Sequence, residues 1–426
     1  MPGHRQPPFA LELQEQLLSK ISWRGSRPVR PPRTFAPTAP TIRPVRSIDL
    51  FSPESPVRLA GIVDLDRGTD GATTHRLPAW ARAQVIDPAI VAVSSMPSGG
   101  RIDIVTDASE IEVDLLLTRI SFPGREPWPG TIDLVVDGDV VSTASTDAGH
   151  LLVLDVPPST DFDFIPGEAT TIRFDDLPAG SKRVEVWLPH NASVELRALR
   201  VNDGADVQAP PAPTRRWVHY GSSISHCMEA ERPTGVWPAV AARRAGVDLF
   251  NLGVAGQCQL DQFVARTIRD LPADLISLKL GINVVNVDSM RERTFVPAVH
   301  GLLDTIRDGH PTTPILVISP IVCPSAEDHP GPTVPGEHRV FDVVERPAEL
   351  ALGALTLVRL RELLELVVAM RQTAGDSNLH YLHGFELFGP DDADDLPDGL
   401  HPDADGYLRM GERFTAAAFS PGAPFA

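Results

Sequence analysis

A carboxylate and an imidazole stand three residues apart in Asp398-Gly399-Leu400-His401-Pro402. On a tight turn this spacing lets the carboxylate hold one ring nitrogen while the other faces a reaction partner. Such a pair is useful only beside a nucleophile, and Tyr220-Gly221-Ser222-Ser223-Ile224-Ser225 offers serines far upstream. A serine hydroxyl is a poor nucleophile until a base takes its proton. His401 suits the base, and Asp398 suits the group that fixes its tautomer. Attack on an acyl carbon develops negative charge on oxygen, which needs donors already in place. The backbone N–H groups of Ser223 and Gly256, and the side-chain amide of Asn283, suit that task. The chemistry this set allows is acyl transfer through serine.

The elements that must position these residues follow from hydrophobic periodicity. After Arg216 apolar runs alternate with helix-length amphipathic segments, which predicts an α/β arrangement. Strands are expected at Trp217–Tyr220, Val247–Leu252, Leu275–Leu280, Ile315–Ser319 and Leu379–Leu382. Helices are expected near Trp237–Ala245, Leu260–Asp270, Met290–Asp308, Leu355–Arg371 and Tyr407–Ala417. Five such strands predict a doubly wound parallel sheet, where ligands sit beyond the carboxyl ends of the strands. Gly221-Ser222-Ser223, Asn251 to Gly256, Gly281-Ile282-Asn283 and Asp398 to His401 all fall at or beyond those ends. Upstream, from Ser47 to Asp206, short runs of period two separated by turns such as Asp137-Gly138 predict an antiparallel β-sandwich. Expected strands there include Arg101–Val105, Ile111–Leu115, Thr131–Val136, Leu151–Val156, Thr171–Phe174, Val184–Leu188 and Ser193–Val201.

Four blocks centred on Ser223, Gly256, Asn283 and His401, in that order, with Asp398 in an Asp-x-x-His arrangement, resemble the SGNH hydrolases, also called GDSL esterases. The resemblance spans about Arg216 to Phe419. It implies a flavodoxin-like five-stranded sheet and an ester-cleaving activity that needs no cofactor or metal. It also implies a triad of Ser223, Asp398 and His401, with Ser223, Gly256 and Asn283 as oxyanion donors. The usual Gly-Asp-Ser is Gly221-Ser222-Ser223 here, and the usual Gly-x-Asn-Asp is Gly281-Ile282-Asn283-Val284. The Tyr-Gly-Ser-Ser-Ile and Leu-Gly-Ile-Asn forms resemble a subgroup with an N-terminal β-domain of jelly-roll type. Its Gly-x-Asp-Leu element is matched only loosely, by Gly130-Thr131-Ile132-Asp133-Leu134, which has one residue too many. The resemblance implies a small acyl ester as substrate, acetyl the leading case, on a carbohydrate or other small molecule. An acyltransferase using the same triad is the first alternative. A carbohydrate-binding protein without catalysis is the second, with Trp80, Trp128 and Trp187 as candidate stacking residues.

Several residues compete for these roles. Ser223 also suits a helix N-cap, and Ser222 and Ser225 stand beside it. Cys227, Cys258 and Cys323 fall on the same rim with His226, and read as small buried side chains rather than a zinc site. His219 reads as core. His329 and His338, and Asp391, Asp392, Asp394 and Asp395, read as solvated loop residues. Residues 1–46 are rich in Pro and Arg and read as an extended arm, with one amphipathic patch at Phe9–Ile21. Val207–Pro213, with three prolines, reads as a linker ahead of a hydrolase domain over 214–426. A formal net charge of −18 over 426 residues disfavours nucleic-acid and anionic-lipid partners. No apolar run approaches the roughly 18 residues that a membrane span requires. Met1–Ala10 lacks a basic-then-apolar leader, so the cytoplasm is the expected compartment.

Overall fold

The computed structural model describes residues 44–85, 87–121, 126–154, 162–336 and 340–426. The expected arm therefore lies almost wholly outside the described residues, as do the Phe9–Ile21 patch and His338.

The carboxyl-terminal half is built on five parallel strands: β1 (Arg216–Gly221), β2 (Asp248–Gly253), β3 (Leu275–Lys279), β4 (Ile315–Ile318) and β5 (Leu379–Leu382). Their spatial order is β2-β1-β3-β4-β5, so the winding direction reverses between β1 and β3. Such a reversal opens a crevice at the carboxyl ends of the strands. The central strands are buried along almost their whole length, because helices cover both faces. Those helices are α1 (Ser223–His226), α2 (Trp237–Ala245), α3 (Gln262–Asp270), α4 (Ile282–Asn286), α5 (Glu292–Gly309), α6 (Leu357–Thr373) and α7 (Ala404–Phe419). Capping explains several of their starts. Thr356 accepts from the Arg359 N–H ahead of α6, and Asp403 accepts from the Gly406 N–H ahead of α7. On α6 the spacing of Leu360, Leu363, Leu364 and Val367 does form one buried face. Across the sheet, Trp217 of β1 stacks on Phe414 of α7 at 5.0 Å, and Trp237 of α2 packs against both rings.

The amino-terminal half holds two largely antiparallel sheets. In one, Ile111–Ser121 and Ala192–Asn202 form the central pair, and alternate residues of both strands are buried. In the other, Arg101–Thr106, Lys182–Trp187, Gly130–Val136 and Asp139–Thr146 lie side by side. Val113, Leu115 and Leu117 from the first sheet share one apolar cluster with Ile102, Ile104, Ile132, Leu134, Val184 and Val186 from the second.

Four expectations need correction. Thr118–Ser121 pairs with His150–Val153 in parallel, so this half is not antiparallel throughout. The strand over Asp139–Thr146 and the short helices Ala79–Arg82 and Pro88–Ser94 were not foreseen. The expected linker opens with a two-residue strand, Val207–Gln208, paired with Val105–Thr106; its prolines begin only after that pairing ends. The acidic run is a solvated loop only at Asp391 and Asp394, which are exposed. Pro390–Asp395 forms a 3₁₀ turn in which Asp392 accepts from Arg413 at 2.6 Å and Asp395 pairs with Arg409.

Candidate active site

Strand β1 ends at Gly221, and the chain turns at once into α1. Ser222 is the N-cap, its hydroxyl accepting from the Ile224 N–H at 3.3 Å. Ser223 is therefore the first helical residue and not the cap. Ser225 is occupied elsewhere, with its hydroxyl 2.8 Å from His219 Nε2. That leaves Ser223, which is 8% exposed.

Ser223 and His401 are 178 positions apart in the chain, yet His401 Nε2 lies 2.9 Å from Ser223 Oγ. On the other side of the ring, His401 Nδ1 lies 2.8 Å from Asp398 Oδ2. The second carboxylate oxygen accepts from the Leu400 and His401 backbone N–H groups, at 3.0 and 2.7 Å. The Asp-x-x-His spacing thus closes on itself as a turn whose own amides hold the carboxylate. Burial raises the Asp398 pKa. The hydrogen bond and charge of His401 and the two backbone amides outweigh burial, leaving the carboxyl below its ordinary value of 3.8. The ring of Phe341, from the hairpin Thr333–Pro335/Phe341–Val343, meets His401 edge-on at 5.9 Å.

Gly256 lies in the exposed turn after β2 with φ of 71°, a left-handed conformation that glycine adopts without strain. Asn283 opens α4 beyond the end of β3 and is 2% exposed. Its Oδ1 accepts from the Cys258 N–H at 3.0 Å, which fixes the amide and leaves Nδ2 as the donating end. Among the described residues no hydrogen bond engages the backbone N–H of Ser223 or of Gly256. This arrangement can take a proton from a serine hydroxyl, hold the resulting imidazolium, and offer three donors near one strand-end crevice.

Sequence reasoning missed how far the amino-terminal half reaches into this site. Arg76 is 1% exposed and has no carboxylate partner. It donates to Met96 O and Val93 O on its own side, and to Asn251 O and Gly253 O at the end of β2. Burial lowers its pKa to about 9, so it stays charged at neutral pH. Ser98 donates to His226 O, closing α1, and accepts from Asn251 Nδ2. Gly253 lets α1 lie close against β2, because a Cβ there would sit 2.7 Å from the His226 backbone nitrogen. Asp133, from the loosely matched Gly130 to Leu134 segment, accepts from both the hydroxyl and the N–H of Thr234. The only sequence signal for these contacts is polar residues in otherwise apolar runs, and that pattern does not name their partners.

The remaining candidates are packing residues or surface residues. Cys227, Cys258 and Cys323 are free and buried, and burial pushes all three thiols up, Cys258 to about 12. Among the described residues no cluster of three or more His, Cys, Asp or Glu side chains could hold a metal ion. His219 is fully buried and its pKa falls to about 3 through burial. Trp187 is core, Trp128 is half-buried and Trp80 lies beneath Arg266. His329 is exposed. Among the described residues no helix is long and apolar enough to cross a membrane.

Residues 214–327 match the family model of GDSL-like lipases and acylhydrolases. No curated protein matches the chain. Among solved structures, the chain is similar to the salicylyl-acyltransferase SsfX3 from a tetracycline biosynthetic pathway, at 29% identity and a TM-score of 0.72, covering 87% of this chain and 95% of that one. A family two carbohydrate esterase from Clostridium thermocellum, in complex with cellohexaose, is 14% identical with a TM-score of 0.54, covering 84% and 97%. One from Cellvibrio japonicus is 13% identical with a TM-score of 0.52, covering 88% and 97%. At those identities the last two show a shared fold alone. The strand order, the four motif blocks and the matched segment make residues 214–327 similar to the GDSL-like lipase/acylhydrolase family, the one also called SGNH.

Proposed function

We propose that the protein is a serine esterase that cleaves a small acyl ester through an acyl-serine intermediate. Ser223 attacks the acyl carbon while His401 takes its proton. Asp398 holds the imidazole in the donating tautomer and steadies the imidazolium that forms. The Ser223 and Gly256 N–H groups and Asn283 Nδ2 receive the oxyanion. His401 then returns the proton to the leaving alcohol, and water repeats the sequence in reverse to free the serine. The named residues carry every step, so no cofactor or metal enters the proposal. The observation that carries this reading is the continuous chain Ser223 Oγ–His401–Asp398, at 2.9 and 2.8 Å.

Within this reading, residues 47–206 form a β-sandwich domain, joined through 207–213 to the hydrolase domain at 214–426. We assign acetyl as the leading acyl group on the family resemblance, and a carbohydrate hydroxyl as the alcohol by analogy with the carbohydrate esterases that share the fold. Similarity to the salicylyl-acyltransferase favours a second reading, transfer of the acyl group to an alcohol other than water. Water and an alcohol attack the same acyl-enzyme, so the partition of product decides between them. Purified protein should hydrolyse p-nitrophenyl acetate, and Ser223→Ala should lose that activity. With acetylated oligosaccharide as substrate and a second alcohol added, free acetate as the main product supports hydrolysis, and a new ester supports transfer. Failure of wild type to cleave any short-chain ester, or full activity in Ser223→Ala, would sink both readings.

A further inference from the structure

His401 has a second carboxylate for a neighbour. Glu229 lies in the segment between α1 and α2, and its Oε1 is 4.0 Å from His401 Nδ1. That nitrogen already lies 2.8 Å from Asp398, so Glu229 faces a ring whose hydrogen-bond partner is in place. The other carboxylate oxygen, Oε2, accepts from the Tyr407 hydroxyl at 3.0 Å. Tyr407 is fully buried on α7, the helix that begins three residues after His401. Glu229 is therefore aimed rather than loose: its side chain is 27% exposed, and a buried phenol holds its far oxygen.

We propose that Glu229 is a positioning residue for the esterase reaction, a second carboxylate that steadies the His401 imidazolium alongside Asp398. The proposal rests on the triad reading above. When Ser223 gives up its proton, the ring gains a full positive charge. A carboxylate 4.0 Å away favours that charged form even without a hydrogen bond.

The titratable groups beside Asp398 and Glu229 do not compete. Cys227, at the end of α1, and Cys323, in the loop after β4, are thiols that burial pushes up. Burial and the Glu229 charge push the Tyr407 phenol well up. All three are neutral at the pH of the reaction. Phe341 adds only an apolar edge. Among the described residues, the ring thus meets the carboxylates of Asp398 and Glu229.

The test is Glu229→Gln, which removes the charge but keeps an oxygen for Tyr407 to donate to. The readout is the pH profile of kcat/KM for p-nitrophenyl acetate, with thermal unfolding as a control. The acid limb is expected to move down by about half to one pH unit, with a several-fold lower plateau. Tyr407→Phe, which frees the Glu229 side chain, is expected to move the limb in the same direction by less. In an Asp398→Ala background, Glu229→Gln is expected to cost more activity than in wild type, because the remaining carboxylate then acts alone. A limb unmoved in both single variants, or an equal cost in both backgrounds, overturns the proposal. Loss of activity in proportion to lost folded protein, with the limb in place, also overturns it, because that is a packing effect. Ser223→Ala separates the two readings. If that variant remains active, the triad reading fails; if it is dead while the limb stays fixed, only the role of Glu229 fails.

Discussion

The serine end of the site and the histidine end are held by different physics. Around Ser223 the backbone is fixed by buried polar contacts that cross between the two halves of the chain. Arg76 grips the end of β2, Ser98 closes α1, and His226 Nε2 meets His190 O at 2.7 Å. Around His401 the support is local. A five-residue turn folds on Asp398, and a short hairpin places Phe341 against the ring. The first arrangement gives a nucleophile whose position depends on residues far along the chain, Arg76 and Ser98 above all. The second gives a base whose position depends on its own turn. Buried polar networks are rigid when every member is paired and costly when one is lost. A surface turn tolerates change at smaller cost.

This contrast can be broken at four places. The largest effect is expected for Asn283→Ala, which removes a proposed oxyanion donor beside the serine. Its kcat should fall about 10²–10³-fold, with a stability loss of about 1–3 kcal/mol from the Cys258 N–H left unpaired; a rate loss under tenfold would remove Asn283 from the donor set. Next, Arg76→Met should lower stability by about 3–5 kcal/mol, because it removes the buried hydrogen bonds that tie Met96 O and Val93 O to Asn251 O and Gly253 O. Urea unfolding measures this, and a change under about 1 kcal/mol would show that the polar network between the two halves of the chain is not what fixes the serine side.

A third test is acid sensitivity. Burial holds the pKa of His190 at about 4 and of His219 at about 3, against an ordinary 6.5. Both bind a proton more readily when unfolded, so stability should fall as pH drops below 6.5 towards 4. The slope should be about 1.4 kcal/mol per pH unit for each. Asp398 behaves differently, because its folded pKa is depressed. Its contribution is complete above 3.8 and is lost only as pH falls through the lower folded value. The serine side should therefore weaken first in acid. His190→Gln should flatten the unfolding slope between pH 6.5 and 4, and an unchanged slope would contradict this order. The smallest effect is expected for Phe341→Ala, which removes one ring edge from His401. A few-fold drop in kcat with unchanged stability fits a locally supported base; a loss as large as that of Asn283→Ala would mean that the hairpin, not the turn, holds the ring.

The sequence carried the α/β half well because its signals are local. Leu379–Leu382 and Trp237–Ala245 begin and end where periodicity expects them. The Asp-x-x-His turn closes on its own backbone amides. The amino-terminal half was harder. Asp139–Thr146 is mostly exposed, so it lacks the apolar alternation that marks a strand, and the parallel pairing of Thr118–Ser121 depends on long-range register. Arg76, Ser98 and Glu229 were invisible as site residues, since nothing in their neighbourhood predicts a partner far along the chain. Asp392 and Asp395 were misjudged for the same reason, because Arg409 and Arg413 reach them from α7.

The most direct test of the central claim is covalent labelling with a fluorophosphonate, read by intact mass and peptide mapping. Wild-type protein should take up one label, on Ser223. His401→Ala should label at least a hundredfold more slowly, since the hydroxyl then lacks its base. Label on Ser222 or Ser225, or equal labelling rates in wild type and His401→Ala, would contradict the triad.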